Sequence, residues 1–276
     1  MLDSFVYENH LGLRFEGLAN RVYVNYNELR DYSWSYDTIN NRISRFYRPI
    51  KDRKIPLVIC CASDAEAVQI KNRLLELADA DIEALHPGKV RIGEYYTNGY
   101  VTESKKSNYL INKRLCNLEL TLTSDDPAWY REEHNSFIPG LDTVIGTDSG
   151  IDYAYDYPYD YMQTLQGNHI VCDSMSANAF RLRIYGATAD PSIVIGGHIY
   201  SVTGVIGADE VLEIDSLTKT ITLITATGKR TNWFDKRNRE SYIFEPIPAG
   251  KHAIAWSGGY GFDLTIIEKR SKPKWT

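Results

Sequence analysis

The sequence predicts a mainly β protein, with an α+β N-terminal part that contains one helix and a C-terminal antiparallel β-sandwich. Two observations lead to this fold class. A single long segment in the first half combines helical periodicity with a capping signal, and we find no comparable segment from residue 168 to the end. That C-terminal part instead contains short β-rich runs at roughly 8 to 12 residue spacing, which is typical of a sandwich or barrel.

The helix is predicted at residues 62–82, "ASDAEAVQIKNRLLELADADI". Ser63 is the expected N-cap, and Glu66 three residues later completes a capping box, because each side chain can accept a hydrogen bond from the other residue's backbone amide. An apolar stripe recurs at helical spacing, and its members are Ala67, Ile70, Leu74, Leu77 and Ala78. The helix is therefore amphipathic and should cover one face of a sheet.

Four strand-like runs accompany this helix. The run "IPLVICC" (55–61) precedes it, and "VRIGEYY" (90–96) follows a Pro-Gly turn signal. The other two are "RVYVNY" (21–26) and "CNLELTLTS" (116–124), and the second of these alternates leucines on one face. Those leucines are Leu118, Leu120 and Leu122. Strands around one helix indicate an α+β N-terminal part.

Two hairpins are predicted in the C-terminal part. In "IVIGGHIY", Gly196 and Gly197 separate two alternating arms, as in a two-residue turn that needs positive φ. A second hairpin is expected in "IDSLTKTITLITATGKRT", with turns at 216–219 and 227–229. Because hairpins join antiparallel neighbours, they favour an antiparallel sandwich for this part of the chain.

A change in amino-acid composition and periodicity after about residue 135 indicates the domain boundary. The segment that follows is rich in Gly, Pro, Asp and Tyr and has no helical period, so we place two domains at residues 1–140 and 141–276. Within it, "YAYDYPYDY" would place five tyrosines on one face if extended. They are Tyr153, Tyr155, Tyr157, Tyr159 and Tyr161. Pro158 allows pairing on one side only, so the residues leave open a binding strip, an edge strand or a connection.

The composition is that of an ordinary globular protein, with 43% hydrophobic and 24% charged residues. The formal net charge of −5 argues against a dedicated nucleic-acid or anionic-membrane surface, since such surfaces need clustered Lys and Arg. The N-terminus lacks a signal-peptide pattern, and no segment approaches the ~20 apolar residues of a membrane span. We therefore expect no membrane partner.

The familiar motifs of catalysis and metal binding are absent from the sequence. The segment "GTDSG" (146–150) is only partly similar to a serine-protease loop, and His198 and His252 stand alone, as hydrogen-bonded structural histidines often do. Four cysteines without metal-ligand spacing are expected to be small buried hydrophobes in a reducing compartment. They are Cys60, Cys61, Cys116 and Cys172. We predict no catalytic residue, cofactor or metal.

Trp233 in "RTNWF" is a second feature that suggests a ligand. An aromatic-rich β-domain can stack sugars on such a ring, although a Trp beside Phe234 in a sandwich is more often part of the core. A pair of catalytic carboxylates, as in a glycosidase, is identified by its separation in space, which sequence spacing does not give. The sequence thus leaves open whether Trp233 stacks a sugar or belongs to the core, and it does not test for a glycosidase pair.

Several segments along nearly the whole chain match a known pattern when they are taken together. In the first half these are "RFYRPIKDRKIPLVICCAS", the helix and "HPGKVRIGEYY". In the second half they are "YDYPYDY", "FRLRIYG", "PSIVIGGHIYSV", "LEIDSLTKTI" and the terminal "GYGFDLTIIEKRSKPKWT". With these segments the chain resembles the distal tail protein (Dit) family of long non-contractile-tailed phages and prophages of Gram-positive bacteria.

This resemblance implies a non-enzymatic structural hub. Its N-terminal belt domain would form a homohexameric ring, and its galectin-like sandwich would project outward. The ring would join the major tail tube protein to the tail-associated lysin or tail fibre protein in the baseplate at the virion tail tip, after assembly in the host bacterial cytoplasm. Some members also grip receptor-binding proteins during host attachment. DNA would pass through the lumen without direct nucleic-acid binding, which suits an acidic chain.

The same resemblance gives the tyrosine segment an expected role. We expect it at the junction of belt and sandwich, or as the first edge strand of the sandwich, with rings that pack one domain on the other. The alternative function is carbohydrate binding or host adhesion through the C-terminal sandwich, with Trp233 as its stacking residue. The H-x-N-x-R strand that a galectin-like sugar site would need is absent.

Overall fold

The computed structural model describes residues 5–25, 27–109, 114–139 and 169–275. These residues form two compact units. The first comprises the described residues up to Arg131 together with those from Lys269 on, and the second runs from Glu132 to Glu268. The predicted boundary, the "GTDSG" segment and the five tyrosines lie outside the described residues. Strands dominate both units, which confirms the mainly β prediction.

The first unit contains one helix and a set of antiparallel strands. Its elements are β1 (Val6–Glu8), β2 (Arg14–Glu16), β3 (Val22–Val24), β4 (Ser35–Ile39), β5 (Arg42–Tyr47), β6 (Lys51–Cys60), α1 (Asp64–Ala84), β7 (Gly88–Ile92), β8 (Tyr95–Tyr109) and β9 (Leu115–Ser124). Seven strands are ordered β2-β1-β7-β8-β9-β6-β3. The long strand β8 pairs with β7 along its first residues and with β9 along the rest, so it links two groups of strands.

Helix α1 begins as the sequence predicts. Ser63 is the N-cap, and its Oγ accepts a hydrogen bond from the Glu66 amide at 3.1 Å. The Glu66 carboxylate accepts from the amide of Ala62 at 2.8 Å, one residue earlier than in an ideal capping box. All five residues of the predicted apolar stripe are buried, and they share one core with Leu57, Leu120 and other strand residues. The helix prediction is confirmed.

Two other predictions for the first unit need correction. Residues 90–96 are not one strand, because β7 and β8 are separated by a two-residue turn in which Gly93 adopts φ +57°. Glycine at the first turn position allows this positive φ without a steric penalty. Of the four cysteines, Cys60 is exposed and the other three are buried, since neighbouring residues of an extended chain point to opposite sides.

The second unit is built from strands in two sheets. Its elements are β10 (Trp129–Phe137), β11 (His169–Cys172), β12 (Ala179–Tyr185), β13 (Thr188–Ala189), β14 (Ser192–Ile195), β15 (His198–Ser201), β16 (Val205–Ile206), β17 (Val211–Asp215), β18 (Thr220–Ile224), β19 (Arg230–Asn232), a 3-10 turn (Phe234–Lys236), β20 (Gly250–Trp256) and β21 (Gly261–Arg270). One sheet has the order β19-β18-β17-β12-β21-β10 and the other β11-β20-β14-β15. Strands β10 and β21 contribute residues to both units.

Buried side chains from the two sheets form a single core, as the predicted antiparallel sandwich requires. Phe180, Leu182 and Leu264 come from the first sheet, and Ile193 and Ile254 from the second. Both predicted hairpins are present. Ile195 pairs with His198 across Gly196 and Gly197, whose φ values are +58° and +88°. The strands of the second hairpin meet where Asp215 pairs with Thr220.

A candidate interaction surface

The hairpin β4–β5 forms a two-stranded sheet of its own among the described residues. Asn40 and Asn41 connect the strands with φ values of +50° and +62°, the positive angles that a type I′ turn requires and asparagine tolerates. Every residue from Tyr36 to Tyr47 is exposed. A hairpin without further strands is at best marginally stable in water, so contacts that cover its faces would stabilise this one.

One side of the hairpin carries aromatic rings, and we call Trp34, Tyr36 and Phe46 the aromatic face. Tyr36 lies opposite Phe46 in the strand register, with ring centroids 6.3 Å apart, and Trp34 meets Phe46 edge-on at 6.5 Å. Their exposed fractions are 42% for Trp34, 58% for Tyr36 and 57% for Phe46. Contiguous exposed rings of this kind are typical of a surface that another protein covers.

The opposite side carries Ile39, Arg42, Arg45 and Tyr47, which we call the basic face. Register pairs share a face, and Ile39 pairs with Arg42 while the Arg45 guanidinium lies 5.9 Å from the Tyr47 ring centroid. Asp37, which pairs with Arg45, is the carboxylate on this side. Aromatic and arginine side chains together are the usual composition of binding hot spots.

The C-terminal segment lies against the base of the hairpin. The Arg30 guanidinium stacks on the Trp275 ring at 4.3 Å, and it donates to the carbonyl oxygen of Pro273 at 3.4 Å. Arg48 stacks on the Trp34 ring at 4.1 Å and donates to Ser271 Oγ at 3.3 Å. The basic C-terminal segment, residues 271–275, therefore helps to hold the base of the hairpin in place.

Asp126 fixes the point where this segment leaves β21. Its carboxylate binds Lys269 Nζ at 2.7 Å and accepts a hydrogen bond from the Tyr130 hydroxyl. Partial burial acts to raise the pKa of Asp126, but the hydrogen bonds from Lys269 and Tyr130 outweigh it and hold the pKa below its usual range. The carboxylate is therefore ionised at neutral pH and retains Lys269.

Sequence analysis did not predict this hairpin, although a signal was present. In "SYDTINNRISRFY" two alternating runs flank Asn-Asn, a pair of residues that tolerate positive φ. The net charge of the chain also gives no indication of the basic face. A net charge of −5 describes the whole chain, whereas the fold brings Arg42 and Arg45 together on one face of a small sheet.

Trp233, the predicted stacking residue, lies in the second unit. It is partly buried against the core, and its ring comes so close to Gly204 that a Cβ there would lie 2.9 Å from it. The neighbouring Phe234 is 37% exposed and lines a cleft of about 330 Å³ at the β18–β19 edge. Other residues of that cleft include Lys219, Thr222 and Arg230. A sugar-binding role for Trp233 stays a prediction.

The two isolated histidines each lie within hydrogen-bond distance of a backbone carbonyl oxygen. His198 Nε2 lies 2.9 Å from the carbonyl oxygen of Tyr242, and His252 Nε2 lies 2.9 Å from that of Pro248. Within the described ranges, no three His, Cys, Asp or Glu side chains come together as a metal would require. No helix in that part of the chain is long and apolar enough to span a membrane.

Comparison with known proteins gives relatives at the level of structure alone. No protein-family model matches the sequence, and a search of curated proteins gives no match. The crystal structure of SPP1 Dit, "a Paradigm of Hub Adsorption Apparatus in Gram-positive Infecting Phages", matches with a TM-score of 0.55 and 9% identity, over 96% of this chain and 98% of that chain. A chain of the phage P2 baseplate in its activated conformation with Ca matches with a TM-score of 0.58 and 12% identity, over 99% and 100%. The protein has the fold of the phage hub protein SPP1 Dit over nearly its whole length.

Proposed function

We propose that this protein is the structural hub of a phage tail tip. The observation that supports this proposal best is the match to SPP1 Dit and to a chain of the P2 baseplate, because it extends over at least 96% of the chain. In this role the protein joins the major tail tube protein to a tail-associated lysin or tail fibre protein, and it offers a place for a receptor-binding protein. Its site is the virion tail tip, and it assembles in the host bacterial cytoplasm.

A hub of this kind needs copies that associate into a closed ring, and we propose a homohexamer. The exposed hairpin of the first unit supports self-association, since both of its faces present side chains that bury well in protein interfaces. We assign ring formation to residues 1–140 together with the C-terminal residues from Lys269 on, which belong to the same unit, and an outward position to the rest of residues 141–276.

The mass in solution tests the ring. Six chains of 31.5 kDa have a mass of about 189 kDa, and we expect light scattering after gel filtration to give that mass at high protein concentration. Replacing both Trp34 and Phe46 by serine should raise the concentration needed for assembly by about a thousandfold, because two hot-spot rings that each contribute about 2 kcal/mol together contribute about 4 kcal/mol.

Tyr242→Ser provides the matched control, because Tyr242 is also an exposed ring but lies in the second unit. This variant should assemble like the unchanged protein. A ring that tolerates the loss of Trp34 and Phe46 would exclude the aromatic face as an assembly surface. A monomer at every concentration would contradict self-assembly itself.

The cleft at Phe234 favours carbohydrate binding as a second candidate function. An exposed ring beside threonine hydroxyls can stack a sugar and hydrogen-bond its hydroxyl groups, and Phe234, Thr222 and Thr231 provide these groups here. If this function is present, Phe234→Ala should abolish saturable binding to host cell walls, whereas Met175→Ala at another exposed site should not. Binding that only Trp233→Ala removes would favour the sequence-based assignment.

A further inference from the structure

The exposed side of helix α1 carries an acidic stripe formed by Glu76, Asp79 and Glu83. Residues three and four positions apart lie on one face of a helix, and all three side chains are exposed. None of them has an ion-pair partner among the residues that the structure describes. The stripe therefore presents carboxylates that remain available for a cationic partner.

Beside the acidic stripe runs a line of apolar side chains, Val68, Leu75 and Ile82. Their seven-residue spacing places them along one edge of the exposed side, and Val68 and Ile82 are 44% and 39% exposed. Leu85, directly after the helix, is exposed as well. A helix face that combines exposed apolar residues with carboxylates is suited to a partner that is both apolar and cationic.

The basic face of the hairpin has that composition. Ile39 and Tyr47 supply exposed apolar area, and Arg42 and Arg45 supply guanidinium groups that bind carboxylates with two parallel hydrogen bonds. Arg42 makes no ion pair or side-chain hydrogen bond with any residue that the structure describes, and the Arg45 guanidinium lies near the Tyr47 ring. The two surfaces thus match in charge and in apolar character.

We infer that the basic face of one copy binds the acidic stripe and apolar line of α1 on the next copy. Both surfaces belong to the same chain but differ from each other, so the contact is head-to-tail, the type that generates rings when its rotation closes. This inference rests on the proposed ring and specifies which surfaces join its subunits. The acidic stripe provides carboxylates that Arg42 and Arg45 can bind on another copy of the same protein. This favours a second copy, and not a polyanion such as nucleic acid, as the partner of the basic face.

Charge reversal tests this contact. The variant Arg42→Glu with Arg45→Glu and the variant Glu76→Lys with Asp79→Lys should each associate at least about a hundredfold more weakly, because each places like charges opposite one another. Their equimolar mixture should recover the ring, since every interface then joins opposite charges. A single chain with all four substitutions should recover it for the same reason.

The control is Lys229→Glu with Lys251→Glu, which makes the same charge change at exposed positions of the second unit and should leave assembly unchanged. A ring that forms and survives both reversals would contradict this contact alone. If the equimolar mixture or the variant with all four substitutions failed to form the ring, that result would also contradict the proposed contact. The protein could instead retain duplex DNA through Arg42 and Arg45, while the mass of the ring stays the same when both are replaced. That result would show that the basic face binds a polyanion and does not bind helix α1. A chain that never associates would contradict the ring and the contact together.

Discussion

Replacing Asp81 by alanine is expected to lower the free energy of unfolding of the first unit by about 3–5 kcal/mol. Asp81 lies on α1 with a fully buried carboxylate. One oxygen accepts a hydrogen bond from the Tyr7 hydroxyl, and the other accepts from the His10 amide at 2.8 Å and lies 2.6 Å from His10 Nδ1. Burial, with the Asp81 hydrogen bond and charge, raises the pKa of Tyr7. Alanine would leave these groups without their acceptor.

Two variants sharpen this prediction, and urea unfolding measures all three. Asp81→Asn keeps one acceptor oxygen and adds an amide donor for the Tyr7 hydroxyl, so we expect a smaller loss of about 1–2 kcal/mol. Asp79→Ala changes an exposed carboxylate two residues away and should stay within about 0.5 kcal/mol. If Asp81→Ala cost no more than Asp79→Ala, the network around Asp81 would not stabilise the fold.

Replacing Trp129 by alanine is expected to destabilise the first unit by about 3–5 kcal/mol as well. Trp129 on β10 is fully buried in the first core, and its indole Nε1 donates a hydrogen bond to the Leu29 carbonyl oxygen at 3.1 Å. The substitution creates a cavity and also leaves this carbonyl without its donor. Because Leu29 lies shortly before the hairpin, the variant should also assemble less well than the unchanged protein.

Trp275→Ala is the control variant for the stability measurement, because it removes a tryptophan that is not part of the core. Its ring is 72% exposed and stacks on Arg30, so we expect a change in unfolding free energy of about 1 kcal/mol or less. Thermal unfolding followed by circular dichroism compares the two tryptophans directly. Similar midpoints for Trp129→Ala and the unchanged protein would show that the cavity relaxes or that the hydrogen bond contributes little.

Local signals in the sequence predict much of this fold. Helix α1 is marked by Ser63, Glu66 and an apolar stripe within one segment, and the Gly196-Gly197 hairpin is marked by its two glycines. The strand predicted at 90–96 was wrong because the apolar pattern continues through Gly93, where a turn reverses the chain. Local patterns specify elements well and miss a turn that preserves the alternation.

The candidate surface was harder to predict because it depends on contacts between distant residues. In the sequence Asp81 looks like one more acidic residue of a solvated helix, and its burial follows from Tyr7 and His10, more than 70 positions away. The exposure of Trp34 and Phe46 likewise depends on strands β4 and β5 finding no third strand among the described residues. Helical spacing does place Asp81 on the buried side of α1, after Leu77 and Ala78, but the hydrogen-bond partners that make its burial favourable do not follow from that spacing.

The division of the chain has a consequence for its synthesis. The first unit consists of two stretches, and residues 132–268 of the second unit are inserted between them. During translation the ribosome therefore completes the inserted unit before Ser271 and Trp275, which hold the base of the hairpin, have emerged. The contacts of Ser271 and Trp275 at the base of the hairpin can therefore form only after the inserted unit has been synthesised.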